Sequence, residues 1–235
     1  MRIVILSDDK TAEARFIAKH SFSLYIQVNY DIYLFDLGVD PFVIEHNAQE
    51  LGLDISIVDY AVISHEHTTH FGGFKYLASE APFTEVYIPF GSMESLGRIL
   101  VKHGLRPIEI NKWIKLSENI YITKPYYGPP HEHLMVIEME KDLIVLSGCL
   151  HPGLDALLDV TQALNKRISG LIGGLHLYNA PEHVVNMYLD KITNKFKPDF
   201  IIPLHCTGNK FVERVRERSR DIEIKEYSTG DIVEL

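Results

Sequence analysis

The chain has 235 residues, of which 46% are hydrophobic and 23% charged, a composition typical of a globular protein that buries a sizeable core. Its formal net charge of −9 disfavours binding to nucleic acid by bulk electrostatic attraction, although anionic substrates stay compatible with it if a cation is bound. No apolar run approaches the roughly 18 residues that a membrane-spanning helix needs, so we expect no membrane partner.

The N-terminal segment MRIVILSDDK is too short and too quickly acidic for a signal peptide. The only cysteines, Cys149 and Cys206, provide no disulfide framework, and we therefore expect a reducing, cytoplasmic location. The length is compatible with one domain or with a tightly fused pair of halves, and without linker or low-complexity tracts we predict a single domain over residues 1–235.

Alternating and β-branched patterns predict the strands of the first half, over 2–6, 22–28, 32–35, 59–63 and 86–88. The second and third of these form a hairpin through Asn29-Tyr30-Asp31. Helices are predicted over 42–51, 74–78 and 93–102, the first with Pro41 in its opening turn and Gly52 at its end. Residues 7–20 are expected to form a loop or a short helix.

In the second half, strands are predicted over 108–116, 120–123, 134–140, 143–147, 170–172, 200–203, 222–227 and 232–235. Helices are predicted over 154–164, 181–195 and 209–218. Hairpins followed by helices in each half indicate two mixed sheets packed face to face, with helices outside.

Four predicted strand ends carry histidines. In DYAVISHEHTTHFGG, a short apolar strand is followed by His65, His67 and His70, and the later histidines at strand ends are His151, His176 and His205. Residues two apart on extended backbone point the same way, and neutral imidazole binds zinc, iron, nickel or copper. A lone histidine at a strand end is more often a surface residue, but this clustering favours a metal site.

Two metal ions could each have two or three protein ligands and an open position, as in catalytic rather than structural metal sites. The five histidines that would supply these ligands are His65, His67, His70, His151 and His205. His176 follows Gly173-Gly174. It either contacts substrate or donates a proton to a leaving group, or it only ends a tight turn. His131 and His133 are equally compatible with a solvated loop and with ligation.

Several loop residues also allow both a functional and a purely structural interpretation. Tyr126, Tyr127 and Tyr178 can stack on a ring substrate, although exposed loop tyrosines are common. Thr207-Gly208 can offer backbone N–H groups to a phosphate, but capping of the following helix is the simpler interpretation.

The motif HEHTTHFGG resembles the His-x-His-x-Asp-His signature of the metallo-β-lactamase superfamily. With FDLG before it and GCLHPG, IGGLHL and LHCTG after it, nearly the whole chain resembles the branch that includes the dihydropterin–ribofuranosylaminobenzene phosphate synthase-like proteins. The resemblance implies a mixed α/β fold, a four-layer αββα sandwich with a metal site at the edge between its sheets.

By this resemblance, His65, His67 and His151 bind a first metal ion, and His70 and His205 bind a second. Cys149 stands where many members have an aspartate that bridges both ions, so it is either a thiolate ligand or a close neighbour. Asp36 matches the aspartate that supports the histidine loop. The implied cofactor is Zn²⁺, as one or two ions, with Mn²⁺ or Fe²⁺ as alternatives.

Thr69 stands where the signature has its aspartate, and a neutral hydroxyl is a poor zinc ligand. The second site is therefore weak or empty, or completed by Cys149, Glu66 or Asp8, or catalysis is lost.

We expect a metal-dependent hydrolase that acts on an ester, lactone or phosphoester of a small, anionic or phosphorylated metabolite, with Thr69 and His176 at its catalytic positions. The alternatives are a pterin-linked condensing enzyme and a ligand-binding relative without hydrolytic activity. A homo-oligomer is compatible with each.

Overall fold

The structure is a computed structural model that describes all 235 residues. The chain forms two compact units, the first made of Met1–Asn111 with Ser228–Leu235 and the second of Lys112–Tyr227. Each unit is built on one seven-stranded sheet. The prediction of a single domain over 1–235 stays a prediction.

The sheet of the first unit contains β1 (Arg2–Ser7), β2 (Ser23–Val28), β3 (Asp31–Phe35), β4 (Tyr60–Val62), β5 (Glu85–Pro89), β6 (Arg106–Ile110) and β14 (Ile232–Glu234). Their order is β14-β1-β2-β3-β4-β5-β6. The first four strands in this order pair antiparallel, and β3 to β6 pair parallel. The predicted β2–β3 hairpin is confirmed.

The helices of the first unit are α1 (Pro41–Leu51), α2 (Thr68–Phe71), α3 (Phe74–Glu80) and α4 (Arg98–Lys102). The Asp40 side chain caps α1 by accepting the Val43 N–H at 3.0 Å, and Gly52 ends it in the left-handed region at φ 64°. A π-helical turn, Met93–Gly97, leads into α4. Buried side chains of β1, β3 and β4 form one core with α1 and α3, through Val4, Leu34, Ala61, Ile44 and Leu77.

The second unit contains β7 (Ile114–Ser117), β8 (Ile120–Ile122), β9 (Met135–Glu138), β10 (Asp142–Ser147), β11 (Arg167–Gly173), β12 (Phe200–Pro203) and β13 (Glu223–Ile224). Its helices are α5 (Leu154–Leu164), α6 (Glu182–Lys191) and α7 (Asn209–Arg218). The strand order is β13-β12-β11-β10-β9-β8-β7, with β10 to β13 parallel and β7 to β10 antiparallel. The three helices share one core with the parallel strands, through Val145, Leu171, Ile201, Leu157, Val185 and Phe211.

The predicted mixed α/β class with two mixed sheets is confirmed. The single strand predicted over 108–116 is wrong, because β6 pairs with β5 in the first sheet whereas β7 pairs with β8 in the second. The predicted helix over 181–195 changes to a π-helical turn at Ile192–Phe196, and residues 8–20 form no helix. None of the helices combines the length and apolar character needed to cross a bilayer.

Candidate metal centre

The histidine motif lies directly beyond β4 in the first unit. His65 and His70 are completely buried, whereas His67, which precedes the first residue of α2, is exposed. The ring centroid of His65 lies 4.7 Å from that of His67 and 4.0 Å from that of His70. The structure therefore brings these three predicted ligands together.

A chain of hydrogen bonds fixes the orientation of His65. The Ser64 hydroxyl donates to Oδ2 of Asp36 at 2.8 Å, so its oxygen accepts the Nδ1–H of His65 at 2.9 Å. This assigns the proton of neutral His65 to Nδ1 and leaves the Nε2 lone pair available. That Nε2 lies 3.0 Å from Nδ1 of His67, so two imidazole nitrogens converge.

Asp36 supports the histidine motif through hydrogen bonds, as the sequence resemblance implied. It is completely buried, and its Oδ1 accepts the backbone N–H of Ser64 at 2.7 Å. Its Oδ2 lies 2.7 Å from Nδ1 of His70, which leaves Nε2 of His70 available to a ligand. A carboxylate behind a histidine is the usual device for orienting a metal-binding imidazole.

Thr69 lies in α2 between His67 and His70, and its side chain is partly buried. Its backbone carbonyl accepts the N–H of Phe22 at 3.0 Å, which ties α2 to the residue before β2. The hydroxyl supplies no negative charge where the superfamily signature has a carboxylate. This hydrogen bond holds the backbone of position 69 in place, although its side chain is a threonine and not the aspartate of the signature.

In the second unit, three parallel strands end beside one another. Cys149 and His151 follow β10, His176 follows β11, and His205 and Cys206 follow β12. The two sulfur atoms and a ring nitrogen of His176 all lie within 4.8 Å of one another. The ring centroids of His151 and His176 are 4.4 Å apart. Ligand sites commonly form at the carboxyl ends of parallel strands.

Glu132, which no sequence motif indicated, positions the loop after β10. Its buried carboxylate accepts three backbone N–H groups, those of Cys149 and Leu150 at 2.9 Å and that of His151 at 2.7 Å. The only local indication of this role in the sequence was the position of Glu132 between His131 and His133. Of the two alternatives left open for His133, the solvated loop is wrong, because this histidine is completely buried.

Several residues in these loops have left-handed backbone. Asp36, Leu150, His176 and His205 have φ values of 61°, 56°, 55° and 49°. Each such conformation costs about 1–3 kcal/mol in a residue other than glycine, asparagine or aspartate, and it persists only where the surroundings enforce it. The strain lies next to predicted ligands, which favours a functional reason for it.

The Cys206 thiol and the His176 imidazole both have shifted pKa values. Hydrogen bonds with the Cys149 thiol and with His176 hold the pKa of Cys206 well below its ordinary value. The hydrogen bond with Cys206 raises the pKa of His176, against the opposing effect of burial. A thiolate at Cys206 is therefore favoured within this cluster.

The remaining candidates are the two residues before α7, Thr207 and Gly208, and three tyrosines in loops. The Thr207 hydroxyl donates to the carbonyl of Gly173 at 2.9 Å, so its predicted role as a helix cap is wrong, and Gly208 precedes α7 without a side-chain cap. The phenol of Tyr126 donates to Asp159 at 2.7 Å, whereas Tyr127 and Tyr178 are exposed.

Residues 20–162 match the sequence profile of the metallo-beta-lactamase superfamily. An uncharacterized protein of Methanocaldococcus jannaschii is 28% identical, with 89% of this chain and 92% of that protein aligned. The 7,8-dihydropterin-6-methyl-4-(beta-D-ribofuranosyl)-aminobenzene-5'-phosphate synthase of the same organism is 25% identical, with 92% of each chain aligned.

Solved structures share the fold at lower identity. A metal-dependent hydrolase of the beta-lactamase superfamily has a TM-score of 0.82 and 23% identity, and the match covers 100% of this chain and 99% of that one. Zn²⁺-bound PqqB from Methylobacterium extorquens has a TM-score of 0.64 and 11% identity, with 100% of both chains covered. The predicted metallo-β-lactamase-like fold is confirmed.

Proposed function

Because the chain belongs to the metallo-beta-lactamase superfamily, we propose that it is a metal-dependent hydrolase of an ester, lactone or phosphoester of a small metabolite. The observation that carries the proposal is the convergence of Nε2 of His65 and Nδ1 of His67 at 3.0 Å, beside the buried pair of Asp36 and His70. The relative described as a metal-dependent hydrolase supports the reaction class.

The donor set fits a zinc ion. Two nitrogens bound to Zn²⁺ at roughly 2.0–2.1 Å in tetrahedral geometry lie about 3.3 Å apart, close to the separation of the His65 and His67 nitrogens. His65 and His67 would hold a first ion and His70 a second. His151 and His205 are proposed as further ligands from their motif positions alone. Mn²⁺ and Fe²⁺ accept the same donors.

When bound, a divalent ion supplies Lewis acidity, which polarises a carbonyl or phosphoryl oxygen and lowers the pKa of water. Two residues of the chain determine which ring nitrogen of each histidine can bind the ion. Ser64 keeps the proton of His65 on Nδ1, and Asp36 does the same for His70, so their Nε2 lone pairs stay available. A small-molecule substrate and a cytoplasmic location are part of the proposal.

The experiment compares the purified wild type with His65→Ala/His67→Ala. We expect bound zinc, manganese or iron in the wild type, and hydrolysis of generic aryl esters, lactones or phosphoesters that the double variant lacks. The exposed His183 of the second unit provides a matched control, since His183→Ala removes an imidazole far along the chain from every proposed ligand. Purified protein without any of these metals, and unable to bind them, would contradict the proposal.

A further inference from the structure

The first unit contains a cavity at the end of its sheet opposite to the histidine motif. Its volume is about 410 Å³, within the range of roughly 300–1,000 Å³ that is typical of small-molecule sites. Tyr60, Glu85 and Arg106, the first residues of the parallel strands β4, β5 and β6, all line it. The histidine motif follows the other end of β4, and none of the proposed metal ligands lines the cavity.

The charges of the lining are unequal. Three carboxylates, those of Asp59, Glu80 and Glu85, face the single guanidinium of Arg106. Nη2 of Arg106 lies 3.3 Å from Oε1 of Glu85, and the Tyr87 hydroxyl donates to Oε2 of the same carboxylate at 2.9 Å. Because Glu85 and Arg106 pair with each other, no cation of the lining neutralises Asp59 and Glu80.

Aromatic rings form another part of the lining. The ring of Tyr60 stacks on that of Tyr33, with the centroids 5.5 Å apart, so it is held in place. Phe83 is 70% exposed, and its backbone is left-handed, with φ 69°. Its N–H donates to the carbonyl of Gly104 at 2.8 Å, which fixes this conformation. A strained phenylalanine whose ring contributes little to the core is best explained by a contact with a ligand.

We propose that this cavity binds a small organic cation, an amine with an aliphatic or aromatic body. The ammonium group is attracted by the carboxylates of Asp59 and Glu80, and the body packs on the ring of Phe83. Aromatic faces beside carboxylates suit an ammonium group, because cation–π attraction adds to the attraction between opposite charges. A hydrated inorganic ion would make no use of the rings.

The lining supports binding rather than catalysis. It contains neither histidine nor cysteine, and its two hydroxyl groups already have acceptors. The Ser56 hydroxyl donates to Oδ1 of Asp54 at 2.6 Å, and the Thr84 hydroxyl donates to the carbonyl of Ala81 at 2.7 Å. The proposal uses residues of the first unit alone and does not depend on the proposed hydrolase.

The test uses phenethylamine as the probe, with affinity measured by isothermal titration calorimetry at neutral pH. We expect saturable binding to the wild type, weakened by roughly fivefold or more in Glu80→Gln and in Phe83→Gly. Phe83→Gly should fold, because glycine adopts φ 69° without strain. Asp59 is left intact, since its Oδ2 also accepts the N–H of Ile32 at 2.9 Å.

Two variants of α1 provide matched controls. Glu50→Gln removes an exposed carboxylate and Phe42→Ala an exposed ring, both outside the cavity, and neither should change the affinity. Phenylacetate has the same ring with the opposite charge and should not bind.

Absence of saturable binding to the wild type, or unchanged affinity in Glu80→Gln and Phe83→Gly, would overturn the proposal. Displacement of phenethylamine by an equal concentration of Ca²⁺ would also overturn it, because it would identify a site for an inorganic cation. Binding should persist in His65→Ala/His67→Ala. Its loss there would place the amine at the histidine motif instead, whereas failure of the hydrolase proposal would leave this result unchanged.

Discussion

Oδ2 of Asp36 lies 2.7 Å from Nδ1 of His70, and neither side chain is exposed to solvent. The same oxygen accepts the Ser64 hydroxyl, so one carboxylate orients two residues of the histidine motif. Asp36→Asn should weaken metal binding by about 10–100-fold, because an amide cannot accept from all of these donors at once. Competition with a chelating dye measures the affinity. Asp54→Asn, at an exposed aspartate, is the control, and equal affinities in both variants would contradict the role of Asp36.

Thr69→Asp restores the carboxylate of the superfamily signature. If the threonine weakens the second site, the substitution should add a second bound ion and raise the hydrolysis of generic phosphoesters. Thr69→Ser keeps the hydroxyl and should change neither property. Metal analysis by mass spectrometry measures the stoichiometry. Two ions already present in the wild type would show that another ligand completes the site.

Glu132→Ala should destabilise the protein by roughly 3 kcal/mol or more, since it leaves three backbone N–H groups of the loop after β10 without their acceptor. Glu132→Gln keeps the shape and one acceptor oxygen, so its loss should be smaller. Urea denaturation gives the free energies of unfolding. A loss below about 1 kcal/mol for Glu132→Ala would mean that water replaces the carboxylate.

Gly174→Ala should destabilise the protein by about 3 kcal/mol, because the added methyl group meets the backbone of Gly148 and the sulfur of Cys206. Gly52→Ala is the matched comparison. It has open space around its Cβ and only the cost of φ 64°, about 1 kcal/mol. Thermal unfolding should rank the two in that order, and the reverse order would refute the steric argument.

The phenol of Tyr126 affects stability through Asp159. Burial opposes ionisation of this carboxyl, but hydrogen bonds from Tyr126 and Lys124 hold its pKa below the ordinary value. A lowered pKa stabilises the fold above the unfolded value, about 3.9, and the contribution is lost as pH falls through the folded pKa. Tyr126→Phe should therefore cost about 1 kcal/mol at pH near 7 and less below about pH 4.

Urea denaturation at the two pH values measures that difference. Tyr127→Phe, at an exposed phenol, should be neutral at both. A deficit of Tyr126→Phe that stays constant with pH would separate the phenol from the carboxylate.

The sequence predicted the regular elements well where hydrophobic periodicity is strong, as in α5 and α7, whose predicted bounds coincide with the structure. It failed at 108–116, because β6 and β7 both have strand patterns and nothing local signals that they belong to different sheets. Periodicity describes local burial, whereas the choice of partner strand depends on distant residues.

The candidate site shows the same division. His65, His67 and His70 could be predicted because they are adjacent in the motif. The role of Glu132 depends on backbone groups 17 to 19 residues away, which no spacing rule indicates. Thr207 precedes a helix and looks like a cap, but the carbonyl of Gly173 competes successfully for its hydroxyl.

The position of β14 beside β1 affects how the first unit is completed. Arg2 pairs with Glu234, so the outer neighbour of β1 comes from beyond the whole second unit in the chain. A fragment that ends at Asn111 would leave β1 as an open edge, with the backbone of Ile3 and Val4 unprotected. Such an edge is a template for association with other strands. Long-range closure of this kind also slows folding, so the newly made N-terminal segment needs protection from aggregation until β14 is available.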